Sequence, residues 1–146
     1  MAEYLSYVWR WAIVNDCLAF VDYYLSAYGP TIRIATRNRH WLVALKKQIM
    51  DLSNGNLDSI DVCKFSDTKC SETINELILI KGINCSVSCV TAKDLFRQTN
   101  FIWVQDESGI ETILGLIDGL IVSDQSGHQY LTNEGDGYLI ELSYNE

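Results

Sequence analysis

The sequence predicts an α+β fold in which helices pack on a mixed β-sheet with an antiparallel hairpin at the C-terminus. Three features support this prediction: helical and strand-like patterns alternate through most of the chain, strand-like segments gather at its end, and 48% of the residues are hydrophobic. With 146 residues and a single proline, Pro30, the chain has the size and composition of one compact globule. We therefore expect a single domain spanning residues 1–146.

The first 30 residues contain two candidate elements. Residues 4–13 are rich in aromatic and β-branched side chains, which favours a strand, although a short apolar run of this kind leaves open a helix that continues into the next segment. The following apolar residues recur at helical spacing and predict a helix: Cys17, Phe20, Val21, Tyr24, Leu25 and Tyr28. Gly29 and Pro30 are expected to end this helix.

The middle of the chain alternates between the two patterns. Residues 31–35 alternate as a strand does, and residues 59–65 also predict a strand. Between them, a helical face ended by Asn54 and Gly55 is predicted by Trp41, Leu42, Leu45, Ile49 and Leu52. Residues 73–80 fit either a helix or a strand, and the sequence leaves this choice open.

The second half predicts more strands and one long helix. Residues 84–90 and 100–105 have strand character, and Thr91 is placed to cap a short helix through Arg97. Ser108 and Glu111 have the spacing of a capping box, and the apolar positions that follow hold helical spacing up to Ile121. Strands around residues 128–132 and 137–144, separated by turn clusters, predict the closing hairpin.

Charge is distributed unevenly along the chain. The net charge is −8, yet residues 1–50 are net positive, and no lysine or arginine follows Arg97. Nine acidic residues lie after that position: Asp106, Glu107, Glu111, Asp118, Asp124, Glu134, Asp136, Glu141 and Glu146. Such a block either aids solubility or forms a surface that attracts a basic partner.

The cysteines and histidines indicate no catalytic or metal site. Five cysteines are an odd number in a chain whose start lacks a secretion-signal layout, so we expect reduced thiols in the core and a cytoplasmic location. The spacing of Cys63, Cys70, Cys85 and Cys89 does not match a zinc site. His40 and His128 have no catalytic motif around them. We therefore predict no metal, no cofactor and no enzymatic activity.

Two classes of partner are disfavoured. A basic cluster beside Trp41 could contact phosphates: Arg33, Arg37, Arg39, His40, Lys46 and Lys47. The acidic remainder of the chain would repel a nucleic acid, so a solvated polar face is the favoured interpretation. No uninterrupted apolar run of about 18 residues occurs, which argues against a membrane span.

Residues 134–143, with the sequence EGDGYLIELS, resemble the end of some immunity proteins of bacterial contact-dependent growth inhibition systems. This resemblance implies non-catalytic binding of a cognate toxin domain, often a nuclease, by a small acidic protein. On this hypothesis acidic side chains attract the basic partner and Tyr138 anchors it. The predicted partner-binding residues are Asp118, Asp124, Glu134, Asp136, Tyr138 and Glu141.

Two other classes of function remain open on the sequence alone. A small α/β enzyme would hold a pocket at the strand ends, with perturbed titratable groups around a histidine or cysteine. A regulatory or structural subunit would expose a large apolar patch and form an oligomer. The sequence does not indicate the oligomeric state.

Overall fold

The computed structural model describes residues 17–82, 89–132 and 137–146. The strand predicted over residues 4–13 lies outside these ranges, as does most of the one predicted over 84–90. The elements of the described residues follow in chain order: β1 (Ala19–Ser26), β2 (Gly29–Thr36), α1 (Arg39–Ser53), β3 (Ser59–Asp61), β4 (Thr68–Cys70), β5 (Ile74–Lys81), β6 (Cys89–Leu95), β7 (Gln98–Gln105), α2 (Glu107–Ser123), β8 (Gly127–Tyr130) and β9 (Leu139–Tyr144). A short 3₁₀ helix, Val62–Lys64, follows β3.

The strands form two mixed sheets, which confirms the predicted α+β class. The first sheet has the order β4-β1-β2-β9-β8, and the second has the order β3-β5-β7-β6. Strands β2 and β9 are parallel neighbours, as are β5 and β7. The predicted C-terminal hairpin is also confirmed, because β8 and β9 pair antiparallel.

The two helices pack against each other and against both sheets. All five apolar residues that predicted α1 are buried, and the Asn38 side chain caps this helix by accepting from the amide of Trp41. In α2 the cap is Asp106, which accepts from the amide of Gly109 at 2.7 Å. The predicted capping serine, Ser108, instead lies inside the first turn, because the helix begins at Glu107.

The helix predicted over Cys17–Tyr28 is wrong, because this segment forms strand β1. Ala19 and Val21 are fully buried in the core, and β1 pairs antiparallel with β2 along its whole length, from Ala19↔Thr36 to Ser26↔Gly29. The apolar spacing fitted a helix by coincidence. Long-range pairing and the β preference of aromatic and β-branched residues decided the conformation.

The short helix predicted from Thr91 to Arg97 is also wrong. These residues form β6 and a tight turn, in which Leu95 pairs with Gln98 across a two-residue loop. The ambiguous segment 73–80 is strand β5, enclosed between β3 and β7. The strand predicted over 59–65 is shorter than expected, since a 3₁₀ helix begins at Val62.

The cysteines depart from the prediction of reduced thiols. Cys63 and Cys70 form a disulfide, with their Cα atoms 5.7 Å apart. The parallel pairing of β4 with β1 folds the chain back after the 3₁₀ helix and brings Cys70 next to Cys63. Cys89 is free and half-buried, so only part of the expected pattern holds. The predicted cytoplasmic location rested in part on reduced cysteines, and the disulfide removes that part of the argument.

The inner faces of both sheets form the hydrophobic core. Its members from the sheets include Val21, Ile32, Ile34, Ile140, Leu142, Leu77, Leu79, Phe101 and Trp103. The other face of the first sheet is polar, although it too is buried at Arg33 and Glu141. Neither helix of the described residues is long and apolar enough to cross a membrane.

Candidate functional site

A cleft of about 390 Å³ opens where the two sheets separate. Val90 of β6 and Gly137 form an isolated parallel bridge, after which β6 continues in the second sheet and β9 enters the first. Gly137 has φ +97°, and a Cβ there would lie 2.6 Å from the carbonyl oxygen of Val90. This close approach, which only glycine permits, holds the backbone beside β6 immediately before Tyr138 of the cleft lining.

Three aromatic rings line the cleft. The ring centroids of Phe101 and Tyr138 are 5.2 Å apart at an edge-to-face angle of 76°. Tyr23 lies 6.3 Å from Phe101 and 6.2 Å from Tyr138. Phe101 is buried, whereas Tyr23 is exposed. The rings therefore form a packed aromatic wall that remains partly open to solvent.

Polar groups surround this wall. The Thr99 hydroxyl donates to Oδ1 of Asp94 at 2.9 Å, and this bond holds the carboxylate beside the cleft. Arg97, from the loop between β6 and β7, adds a positive charge, and Thr73 and Ile74 complete the lining. The cleft thus combines an apolar wall with two opposite charges, an arrangement suited to binding an amphipathic group.

Phe96 stands at the edge of this site, fully exposed at the tip of the β6–β7 hairpin. Its backbone has φ +58°, which is the left-handed region. A bulky side chain rarely adopts this conformation, and exposed phenylalanine gains nothing from burial in the free protein. Phe96 therefore lowers the stability of the free protein. It does so at a position beside an open aromatic cleft.

The predicted partner-binding residues lie in different places. Tyr138 belongs to the cleft. Asp118 is half-exposed on α2 and forms an ion pair of 2.6 Å with Lys46 of α1. Asp124 is exposed just after α2 and accepts from the hydroxyl of Tyr144. Glu134 and Asp136 lie outside the described residues.

Glu141 is not a surface residue, so its predicted role in contacting a partner is wrong. It is 1% exposed, because β9 is an interior strand of the first sheet and the residue faces Arg33 of β2. Arg33 Nη2 lies 3.2 Å from Glu141 Oε2, and the Tyr24 hydroxyl donates to the same oxygen at 2.6 Å. Burial, followed by the hydrogen bond to Glu141, raises the pKa of Tyr24.

Among the described residues, one group on this polar face has side chains of the kind and spacing that could hold a metal ion. Candidate ligand atoms of His128, Glu141 and Glu146 lie within 4.8 Å of one another. However, Arg33 and Tyr24 already contact the carboxylate of Glu141, and His128 Nδ1 lies 2.8 Å from Glu146 Oε1. The guanidinium therefore supplies the positive charge that a cation would otherwise provide.

The basic cluster predicted from the sequence is divided by the fold. Arg33 is buried against Glu141, Lys46 pairs with Asp118, and Arg39 donates to the carbonyl oxygen of Ile121. Arg33 and Lys46 therefore serve ion pairs within the protein, whereas the other members of the cluster are exposed: Arg37, Arg39, His40 and Lys47.

Sequence reasoning identified Tyr138 but missed four other lining residues of the cleft, Tyr23, Asp94, Arg97 and Phe101, and it missed Phe96 at the edge of the site. Tyr23 lies in the segment 17–28, which the sequence predicted as a helix. Asp94, Phe96 and Arg97 lie in the segment 91–97, which it also predicted as a helix. Comparisons with protein-family models, curated proteins and solved structures found no match to this chain.

Proposed function

We propose that this protein is a non-catalytic binding domain that neutralises a basic toxin domain, a nuclease being one candidate, by covering its active site. The observation that carries the proposal is the fully exposed Phe96 beside the aromatic cleft. Binding energy at protein interfaces concentrates in a few aromatic and arginine residues that fill pockets. Phe96, Tyr23 and Arg97 provide this combination within one surface.

The charge of the protein supports a basic partner. The chain carries a net charge of −8, and α2 presents Glu107 and Glu111 as exposed residues along one side, with the half-exposed Asp118 about two turns further. A surface of one sign accelerates the encounter with a partner of the opposite sign and disfavours other partners. These acids would attract the toxin domain, whereas the aromatic residues would hold it.

The lining of the cleft favours binding over catalysis. Its titratable groups are Tyr23, Asp94, Arg97 and Tyr138, and the Asp94 carboxylate accepts a hydrogen bond from Thr99. A histidine or cysteine able to act as base or nucleophile is not among its lining residues. The two described histidines lie elsewhere, at the start of α1 and in β8.

The test uses the purified toxin domain encoded beside the gene for this protein. We expect nanomolar binding by calorimetry and rescue of growth on co-expression of the two proteins. Phe96→Ala should weaken binding at least about thirtyfold, as expected for an interface hot spot. Met50→Ala removes an exposed apolar side chain from α1, away from the cleft, and should leave the affinity unchanged. A toxin domain that does not bind the wild-type protein would contradict the proposal.

A further inference from the structure

Strand β6 is an exposed edge of the second sheet. Within the described ranges it pairs with β7 on one side, and on the other side it makes only the single bridge from Val90 to Gly137. Its residues 91–94 are all exposed. An edge of this kind presents backbone groups that can accept another strand.

The register shows which backbone groups face outward. Leu95 and Gln98 close a two-residue hairpin loop, so they form a hydrogen-bonded pair, and such pairs alternate along an antiparallel ladder. Lys93 and Thr91 therefore bond to β7, whereas the amides and carbonyls of Ala92 and Asp94 point away from it. The Val90 carbonyl, two residues earlier, points to this same outer side, since it approaches Gly137.

The outward edge and the aromatic cleft are continuous. Asp94 lies both on the edge and in the lining of the cleft, and Tyr138, which follows the bridged Gly137, also belongs to that lining. A strand placed along Ala92 and Asp94 would run past Tyr23, Phe101 and Tyr138. Because strand side chains alternate, one of its residues could enter the cleft while its backbone pairs with β6.

We propose that β6 and the cleft together bind an extended segment of the partner, which adds a strand to the second sheet and inserts one aliphatic or aromatic side chain into the cleft, against the exposed side of Tyr23 and Tyr138. This inference rests on the proposed function and names the part of the partner that is recognised. Main-chain hydrogen bonds to Ala92 and Asp94 provide affinity, and the aromatic cleft selects the inserted side chain. The net charge of −8 favours a basic partner, and the Asp94 carboxylate in the cleft lining offers an opposite charge to a basic residue of the segment.

Hydrogen exchange measured with and without the toxin domain tests the inference residue by residue. The amides of Ala92 and Asp94 should exchange rapidly in the free protein and become protected in the complex. The amides of Thr91 and Lys93 should be protected in both states, because they bond to β7. Unchanged exchange at Ala92 and Asp94 in a formed complex would overturn the added strand and leave toxin binding intact.

A matched pair of variants tests the same point by affinity. Ala92→Pro removes an outward amide without removing a hydrogen bond to β7, and Ala92→Ser keeps that amide. Ala92→Pro should weaken toxin binding by about tenfold, whereas Ala92→Ser should bind as the wild type does. Circular dichroism and the melting temperature establish that both variants are folded. Equal affinities for folded Ala92→Pro and wild type would overturn the inference, whereas failure of the wild type to bind would overturn the proposed function itself.

Discussion

Arg33 and Glu141 form an ion pair buried within the first sheet, on adjacent parallel strands that are directly in register. Both residues are 1% exposed. The Arg33 guanidinium also lies 4.5 Å above the ring of Tyr24, and its Nη2 donates to the Tyr24 hydroxyl at 2.7 Å. Hydrogen bonds and a stacked ring therefore surround the two charges and replace the water that they lose on folding.

Glu141→Gln should strongly destabilise the protein. Removing one partner of a buried pair leaves the other charge without compensation, which costs about 3–5 kcal/mol. Urea denaturation measures the loss of unfolding free energy. The double variant Arg33→Met with Glu141→Leu removes both charges and should recover most of it.

The ion pair between Lys46 and Asp118 is the matched control, because both of its side chains are partly exposed. Asp118→Asn should cost at most about 1 kcal/mol, since solvent screens exposed pairs. If Asp118→Asn lowered the unfolding free energy as much as Glu141→Gln does, burial would not explain the difference expected between the two ion pairs.

The stability should fall at alkaline pH. The pKa values of Tyr24 and Tyr130 are raised mainly by burial, and that of Tyr144 is raised first by its hydrogen bond to Asp124. A raised pKa means that the folded state holds the proton more tightly than the unfolded state. The contribution is therefore fully present below the unfolded pKa of about 10 and is lost as the pH rises above it.

Each of these tyrosines can add a slope of up to about 1.4 kcal/mol per pH unit above that point. Tyr24→Phe should reduce the slope, and Tyr28→Phe, at an exposed position on the hairpin tip, serves as the control. Denaturation between pH 8 and about pH 11 gives the measurement. An identical pH dependence in wild type and Tyr24→Phe would count against this explanation.

The Cys63–Cys70 disulfide should stabilise the protein by about 2–3 kcal/mol, because it closes a short loop in the unfolded chain. Thiol labelling of the unfolded protein should find Cys63 and Cys70 reactive only after reduction. The variant with Cys63→Ser and Cys70→Ser should unfold at lower urea concentration than the oxidised wild type, and reductant should not lower its midpoint further. Coincident midpoints for oxidised and reduced wild type would contradict the prediction.

The N-terminal cap of α2 provides a direct comparison of two residues. Asp106→Ala should cost about 1 kcal/mol, because the amide of Gly109 loses its side-chain acceptor. Ser108→Ala should change stability by less than about 0.5 kcal/mol, since the serine side chain is exposed within the first turn. The opposite order of effects in thermal denaturation would restore the capping box inferred from the sequence.

The sequence predicted the elements whose local pattern and packing agree. The periodicity of α1 was decisive because its apolar face, from Trp41 to Leu52, packs on the core as one stripe. The β1 segment was wrongly predicted as a helix because the spacing of Phe20, Val21 and Tyr24 also fits a helical face. Its pairing with β2 makes the segment a strand. Spacing alone cannot resolve such a conflict between local pattern and long-range pairing.

The site was harder to predict than the fold because it depends on contacts between distant segments. Arg33 and Glu141 are 108 residues apart, and only the pairing of β2 with β9 brings them together. The burial of Glu141 could not be inferred from its position in an acidic block. Likewise, Tyr23 and Phe101 belong to different sheets, and their rings come together only in the fold, at the cleft between the two sheets.

Phe96 should show opposite effects on stability and binding. A left-handed backbone costs a non-glycine residue about 1–2 kcal/mol, and the exposed ring recovers none of this in the free protein. Phe96→Gly should therefore leave the unfolding free energy unchanged or raise it by up to about 1 kcal/mol, and it should also weaken toxin binding at least about thirtyfold, as Phe96→Ala does, because the anchor is lost. Denaturation and calorimetry on the same preparation measure the two effects. A large loss of stability would instead assign Phe96 a structural role in the β6–β7 hairpin, which its full exposure argues against.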